Sequence, residues 1–296
     1  MSGWQPAGPL RLIVGSRPGG ANDVFGRMLV EGLREAGGPE ITIVNIPGDE
    51  MAKAWQALRD AAPDGCTIGT SSNVLLTSFL AGKSTLHYSA YTSIALLVEE
   101  TMAFAMAVRG AADWSGLLQS GRSLRAGFIG QPGNARHLAL ATALLAQGYD
   151  MAQVEFRGCE TEEECMRELT AGQTDVYCNT ASAVAALVRA GTVLPVAVSA
   201  KNRLPEVYKD TPCLAEFGVS EPFTAWRAII GPPGMPEAAV AYWVETFRAL
   251  SATPAWARLM EEHHWNSRFL ATREFDGFLD TLSADLERCL AAIAAH

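Results

Sequence analysis

Short apolar runs alternate with amphipathic stretches through the N-terminal third of the chain. The runs at 10–14, 41–45 and 66–70 have the length of buried strands, and the apolar residues of 24–33 recur at helical spacing. Glycine, proline and polar residues separate these segments. Because strands that alternate with helices form mainly parallel sheets covered by helices, the pattern predicts an α/β fold.

The same alternation begins again near residue 101. The predicted strands of this second set are 102–108, 125–129, 154–156, 176–179 and 194–199. Helical patterns lie between them, but no sequence repeat accompanies the repeated architecture. The chain is therefore predicted to form two α/β lobes, each a mainly parallel sheet flanked by helices.

The pattern changes after residue 223. A strand at 225–230 runs into the stiff turn 231–236, and everything beyond it is predicted to be helical. A purely helical tail has an apolar stripe to bury, so we expect it to pack on the first sheet. The predicted domains are a discontinuous first lobe, 1–100 plus 225–296, and a second lobe, 101–224.

In each half, one strand runs into a glycine-containing loop that opens a helix. These loops are 17–23 and 130–137. The first amides of a helix are unpaired and lie at the positive end of its dipole, so each loop predicts a seat for a carboxylate or a phosphate. A tight connection with no ligand is the alternative. The first loop has neither the Walker pattern nor the dinucleotide spacing G-x-G-x-x-G.

The composition describes an ordered, acidic globular chain. Of its 296 residues, 49% are hydrophobic and 19% are charged, and the formal net charge is -9. Lys and Arg form no block among aromatic residues, so we expect no nucleic-acid partner. No apolar run approaches the ~20 residues of a membrane span, so we expect no direct membrane insertion.

The sequence has no pattern typical of catalysis or metal binding. The motif G-x-S-x-G is absent. His263-His264 follows Glu261-Glu262, but adjacent residues of a helix do not share a face. We therefore expect no enzyme activity, no catalytic residue, no metal and no cofactor. Cys159 and Cys165 are close in sequence, with no His nearby to suggest a metal, and both a disulfide and two free thiols remain open.

Six segments, in order along nearly the whole chain, look like motifs of one family. They are Leu10–Val14 with Pro18-Gly19-Gly20 and Asp23 (R-L-I-V…P-G-G-x-x-D), Ala62–Thr67 (A-P-D-G-Y-T), His137-Leu138 (H-L-A-G), Ala171–Val176 (G-G-Q-V-D-L), Trp226 (S-W-F-G) and Gly231–Pro236 (A-P-A-G-T-P). With this ordered set the chain resembles the substrate-binding proteins of tripartite tricarboxylate transporters, the Bug (TctC-like) family.

The resemblance implies a type II periplasmic-binding-protein fold, with a small di- or tricarboxylate held in a cleft between the lobes. Closure on the ligand would precede its delivery to membrane transporter subunits, and the protein would be a monomer. A carboxylate-sensing domain for a signalling partner, or an enzyme on the same fold, is the alternative. Because the first predicted strand begins close to residue 1, we expect no signal peptide in this sequence. The resemblance implies the periplasm, and a cytoplasmic location also remains open.

Residues of both glycine loops and of two strand ends are the predicted ligand contacts. They are Arg17, Pro18, Gly19, Gly20, Ala21, Asp23, Ser72, Asn73, Gly130, Gly133, Asn134, Arg136, His137 and Asn179. From the residues alone, Asp23 has a second interpretation, since a carboxylate in a first helical turn also complements the dipole and binds the loop's own amides. His137 also has a structural interpretation, which the residues favour, as a residue that caps or packs the helix start.

The chain departs from the family pattern at the predicted site. It has Ser16-Arg17 where F-A is usual, Arg136 where a hydroxyl or glycine is common, and Asn179 where an Asp is frequent. About three extra residues follow Gly158. Arg17 and Arg136 add guanidinium groups, and Asn179 removes a carboxylate, so these three departures make the predicted site more positive. We therefore expect a ligand with two or more carboxylates and no essential ammonium group.

Overall fold

A computed structural model describes residues 4–108, 113–119 and 121–294 of the chain. It divides into two compact units. The first unit comprises Met1–Glu99 and Trp226–Ser283, and the second comprises Glu100–Ala225 and Ala284–His296. The last residues of the final helix are thus grouped with the second unit, whereas the sequence assigned all of 225–296 to the first lobe.

The described residues contain eleven strands and ten α-helices. The strands are β1 Leu10–Val14, β2 Ile41–Asn45, β3 Thr67–Ser72, β4 Thr92–Glu100, β5 Met102–Ala107, β6 Leu124–Ile129, β7 Val154–Cys159, β8 Val176–Thr180, β9 Val193–Val198, β10 Ala225–Gly231 and β11 Asn266–Ala271. The helices are α1 Ala21–Glu35, α2 Ala52–Arg59, α3 Asn73–Leu80, α4 Trp114–Gln119, α5 Ala135–Ala146, α6 Glu162–Thr170, α7 Ala181–Arg189, α8 Glu237–Ser251, α9 Pro254–Glu262 and α10 Thr272–Ala294.

The first unit is built on a six-stranded sheet in the order β11-β4-β10-β3-β1-β2. Strand β1 runs parallel to β2 and β3, whereas β10 is antiparallel to β3 and β11 is antiparallel to β4. The second unit has a five-stranded sheet in the order β7-β6-β8-β5-β9. Here β6 is parallel to β7 and β8, and β5 is antiparallel to β8 and β9. The predicted α/β class is confirmed, and each sheet is mixed.

Helices of the tail close the core of the first unit. Buried Phe25, Met28 and Leu29 line one face of α1, in agreement with the helical spacing seen in the sequence. Gly32 of the same helix lets the tail approach closely, because a Cβ there would lie 3.0 Å from Leu250 Cδ1 of α8. Trp256 of α9 contributes to this core and is fully buried.

The prediction of a purely helical tail is wrong, because β11 lies within it. This strand pairs with β4 only and forms the edge of the sheet, so its residues are partly or fully exposed. An edge strand of this kind lacks the continuous apolar run that marks a buried strand. Tertiary contacts hold it in place: Trp256 Nε1 donates to Ser267 Oγ at 2.9 Å, and Arg268 pairs with Glu99.

The second unit contains a disulfide between Cys159 and Cys165. The sequence had left open whether these two cysteines are bonded. It connects the end of β7 to α6, and the two Cα atoms are 5.6 Å apart. Cys66, Cys178, Cys213 and Cys289 are free and buried. Among the described residues, no helix is long and apolar enough to cross a membrane.

Candidate functional site

The glycine loop of the first unit connects β1 to α1. Gly19 has φ +82°, a conformation that residues with a Cβ rarely adopt, and the Gly20 amide donates to the Arg17 carbonyl at 2.9 Å. Gly20 is the N-cap of α1 and has no side chain to cap the helix. Within the described chain, the backbone amides of Ala21 and Asn22 have no hydrogen-bond partner. The loop therefore presents two open donors at the positive end of a 15-residue helix.

Asp23 holds this loop together from inside. Its carboxylate is fully buried and accepts from the Gly19 amide at 2.8 Å, from Arg27 Nε at 2.7 Å and from Asn45 Nδ2 at 2.8 Å. Burial raises the pKa of Asp23, but these three hydrogen bonds outweigh it and leave the pKa below its usual value. The oxygens of Asp23 are therefore occupied by the loop and its neighbours, in line with the structural interpretation of this residue.

Buried hydroxyls lie at the carboxyl end of the neighbouring strand β3. Ser71 and Ser72 are at most 5% exposed, and their Oγ atoms have no protein partner. If the parallel register of β1 and β3 is continued, these serines lie opposite Gly15 and Ser16, where the glycine loop begins. The Asn22 Oδ1 atom is also buried and unpartnered. Along β3, Gly69 faces Leu58 of α2 and Thr70 faces Gly26 of α1, so Ser72 lies on the α1 side of the sheet and Ser71 on the opposite side.

Asn73, the next predicted contact, has a structural role at the start of α3. Its Oδ1 accepts from the Trp226 amide at 2.8 Å and so connects the β3–α3 junction to β10. Trp226 itself is fully buried, with edge-to-face contacts to Phe275 and Phe278, and its Nε1 has no protein partner.

Met51 lies against the first glycine loop and was missed by sequence reasoning. A Cβ on Gly15 would be 2.5 Å from Met51 Cβ, and Asn22 Nδ2 contacts Met51 Sδ at 2.8 Å. Met51 follows Asp49 and Glu50, and all three residues have positive φ. Because none of these three residues is a glycine, the sequence does not predict their left-handed backbone. Glu50 is bound by Lys83 and Ser78, and the Lys83 ammonium lowers the pKa of that carboxyl.

The loop of the second unit is capped by its own side chain. Asn134 Oδ1 accepts from the Arg136 and His137 amides at 2.9 and 3.1 Å, and Asn134 Nδ2 donates to the Ile129 carbonyl. The Gly130 amide donates to the carbonyl of Cys159 at 2.8 Å. The start of α5 is thus less open to an anion than that of α1, because a side chain already occupies two of its first amides.

His137 is buried beside this loop. Its Nδ1 accepts from the Gly133 amide at 2.9 Å, and its ring contacts Phe128 and Phe156. Burial lowers the pKa of His137 to about 4, so the ring is neutral at pH 7. With Nδ1 accepting, the proton lies on Nε2, which is buried without a protein partner. The ring fixes Gly133 and has one unused donor.

Arg136 and Asn179, two departures from the family pattern, contact each other. Arg136 Nε donates to Asn179 Oδ1 at 2.5 Å. Asn179 Nδ2 donates to Tyr177 Oη at 2.8 Å and to Glu162 Oε1 at 3.3 Å. Arg136 is half-buried and has no ion-pair partner in the described part of the chain. Arg17, in the other unit, is exposed and likewise has no described ion-pair partner.

The predicted contacts therefore form two groups, one in each unit. The first contains Arg17, Pro18, Gly19, Gly20, Ala21, Asp23, Ser72 and Asn73, and the second contains Gly130, Gly133, Asn134, Arg136, His137 and Asn179. Tyr177, Glu162 and Met51 were not predicted. In the described residues, no group of three or more His, Cys, Asp or Glu side chains is placed to hold a metal ion.

The fold and both glycine loops are features of a solute-binding protein. The sequence matches the model of the tripartite tricarboxylate transporter family receptor (TctC) over residues 25–285. The chain belongs to this family, whose members bind small carboxylates and work with a transporter, so the resemblance seen in the sequence is confirmed. It is also 26% identical over 272 residues to a UPF0065 protein of Bordetella pertussis, and the match covers 88% of this chain and 83% of that protein.

Solved structures of the same type show the fold. A TctC solute-binding protein from Polaromonas, without ligand, superposes with a TM-score of 0.85 at 19% identity, covering 97% of this chain and 99% of that one. R. palustris Rpa4515 with adipate gives 0.71 at 18% identity, covering 98% of each chain. MatC from Rhodopseudomonas palustris with bound malate gives 0.63 at 21% identity, covering 98% and 100%. These relatives are binding proteins, and the cleft predicted between the lobes stays a prediction here.

Proposed function

We propose that this protein binds a small di- or tricarboxylate without converting it and delivers it to a membrane transporter. The observation that carries the proposal is the first-unit loop, where the amides of Ala21 and Asn22 are open at the start of α1, while Ser72, with a buried and unpartnered hydroxyl, ends the neighbouring strand β3 on the α1 side. Two adjacent N–H donors match the two oxygens of a carboxylate. The half-buried guanidinium of Arg136 is a second anion-binding group, in the other unit.

The surroundings of the loops favour binding over catalysis. The Nδ1 of His137 accepts from the Gly133 amide, and the carboxylate of Asp23 is occupied by three donors. Neither group is therefore free to take a proton from a ligand. With a formal net charge of -9, the chain attracts an anion only through such local donors. Relatives crystallised with adipate and malate support a dicarboxylate.

The cysteines support a periplasmic location. Disulfides persist in oxidising compartments such as the periplasm and are rare in the cytoplasm. The disulfide between Cys159 and Cys165 is stable in the first of these environments, whereas the four buried free thiols are compatible with either. Membrane transporter subunits are the proposed partners, as in the family, and we propose that the protein acts as a monomer.

Calorimetry with succinate, malate, adipate, citrate and aspartate tests the proposal. We expect at least one dicarboxylate or tricarboxylate to bind with micromolar Kd or better, which is about -8 kcal/mol. Chromatography of the recovered ligand should show it unchanged. Failure of every carboxylate to bind, or formation of a product, would contradict the proposal.

Replacement of Ser72 by Ala separates a ligand role of this hydroxyl from a structural one. Removing a buried hydroxyl that has no protein partner should leave the unliganded protein as stable or more stable, because an unsatisfied polar group is lost. The same change should weaken carboxylate binding by about tenfold, the effect of one hydrogen bond to a charged group. Lower stability with unchanged affinity would show that Ser72 supports only the fold.

A further inference from the structure

The side chain of Asn179 has no hydrogen-bonding capacity left for a ligand. Its Oδ1 accepts from Arg136 Nε at 2.5 Å and from the Thr180 amide at 2.9 Å. Its Nδ2 donates to Tyr177 Oη at 2.8 Å and to Glu162 Oε1 at 3.3 Å. A carboxamide has two lone pairs and two N–H groups, so all four are used within the second unit. At 3% exposure, Asn179 is also almost completely buried.

The orientation of this amide is determined by Glu162. An ionised carboxylate only accepts hydrogen bonds, so it must face the N–H side of Asn179. The oxygen side is then left to face Arg136 Nε and the Thr180 amide, both of which are donors. The reversed amide would place donor against donor on one side and oxygen against carboxylate on the other. Asn179 is thereby a fixed acceptor for Arg136.

Arg136 retains its charge and its terminal nitrogens. Only Nε is engaged by Asn179, and no carboxylate in the described residues pairs with the guanidinium. A cation in the first turn of a helix opposes the helix dipole, so this position has an electrostatic cost unless an anion is bound. Since Asn134 already occupies the amides of Arg136 and His137, the guanidinium is the main donor that this loop offers to an anion.

We propose that Asn179 is a positioning residue that directs the Arg136 guanidinium, and that this pair makes the second-unit loop select a carboxylate and reject an ammonium group. The inference rests on the proposed function and specifies its ligand. The two terminal nitrogens of an arginine form a planar fork that matches a carboxylate. An aspartate at position 179 would instead pair with Arg136, neutralise it and offer an oxygen to a cationic ligand group.

Local constraints hold the segment that carries Glu162. Glu162 lies between Cys159 and Cys165, which are joined by the disulfide. Thr161 caps α6 by accepting from the Glu164 amide at 3.2 Å. The first turn of α6, which carries Glu162, is therefore constrained by this cap on one side and by the disulfide at Cys165 on the other. The position of the Glu162 carboxylate, and through it the orientation of Asn179, follows from these local constraints.

Exchanging Asn179 for Asp, with Asn202→Asp as control, tests the inference. Both variants add one carboxylate to the second unit, but Asn202 is exposed and distant in sequence from the network. Calorimetry is carried out with the tightest-binding dicarboxylate of the panel and with aspartate. We expect Asn179→Asp to weaken the dicarboxylate at least tenfold, to weaken aspartate less, and to lower the melting temperature, because its second carboxylate oxygen would face the Glu162 carboxylate. Asn202→Asp should stay within twofold of the wild type for both ligands.

A second variant, Arg136→Gln, keeps the test decisive if Asn179→Asp folds poorly. It should also weaken the dicarboxylate at least tenfold and reduce the preference over aspartate. In the double variant the two losses should not add, because both act through one guanidinium.

Equal losses for both ligands in either variant, or unchanged affinity, would overturn the inference while leaving the proposed function in place. If the wild type binds no carboxylate of the panel, the proposed function fails and the inference fails with it.

Discussion

Asp23→Asn is the sharpest test of how the first-unit glycine loop, the proposed anion site, is held in place. The substitution keeps the size of the side chain but turns one acceptor oxygen into an NH₂ donor. Whichever way the new amide lies, a donor then faces either the Asn45 amide or the Gly19 amide together with Arg27. Because Asp23 is completely buried, water cannot replace the lost acceptor.

The expected loss of unfolding free energy is about 2–4 kcal/mol. One hydrogen bond to a buried charged group contributes about 1.5–3 kcal/mol, and at least one such bond is replaced by a donor–donor contact. The Arg27 contribution is discounted, since its side chain is 57% exposed and solvent screens the pair. Arg27→Gln should therefore cost well under half as much as Asp23→Asn. Chemical denaturation monitored by tryptophan fluorescence measures both, with the exposed Asp276→Asn as control.

The contribution of Asp23 to stability should also depend on pH in a defined direction. The folded-state pKa of Asp23 lies below its unfolded value, so its stabilising contribution is complete above the unfolded pKa of about 4. That contribution is lost as the pH falls through the folded pKa. The stability difference between wild type and Asp23→Asn should thus be constant near neutral pH and shrink below pH about 4. A difference that stays constant to lower pH, or an Arg27→Gln loss as large as that of Asp23→Asn, would refute the reasoning.

Three further changes have distinct expected outcomes. The pKa of His137 is lowered to about 4, so its protonation should destabilise the wild type as the pH falls from about 6.5 towards 4, and His137→Asn should reduce this loss in thermal melts. Cys165→Ser opens a short disulfide loop and should lower the unfolding free energy by about 2 kcal/mol, with no further effect of a reductant. His264→Gly should raise stability by up to about 1 kcal/mol, since φ is +53° at the end of α9, whereas His263→Gly, with φ -96°, should lower it.

The positions of both glycine loops were predictable from sequence because their signals are local. A strand, a glycine that needs positive φ and a helix start follow one another within a few residues, as at Gly19 and Gly133. The residue types in the loops also indicated an anion. The different capping of the two helices was harder to foresee, because Asn134 and Gly20 are both ordinary N-cap residues.

The contacts inside each site were not predictable, because they join distant parts of the chain. Asp23 of α1 contacts Asn45 at the end of β2, and Arg136 of α5 contacts Asn179 of β8. Sequence reasoning treated Arg136 and Asn179 as two independent ligand contacts, whereas in the structure one holds the other. Only the tertiary fold determines which acceptor an arginine reaches.

The two units offer an anion different chemistry, and this difference bears on what each can discriminate. The first loop presents neutral donors, the amides of Ala21 and Asn22, and the guanidinium of Arg17 on this loop is exposed, so solvent screens its charge. The second presents the guanidinium of Arg136, which favours a full negative charge and disfavours a cation nearby. Neutral donors tolerate variation in the charge of a ligand, and a fixed guanidinium does not. Substitutions at Arg136 and Asn179 should therefore change which ligands bind, whereas substitutions at Ser72 should weaken all carboxylates alike.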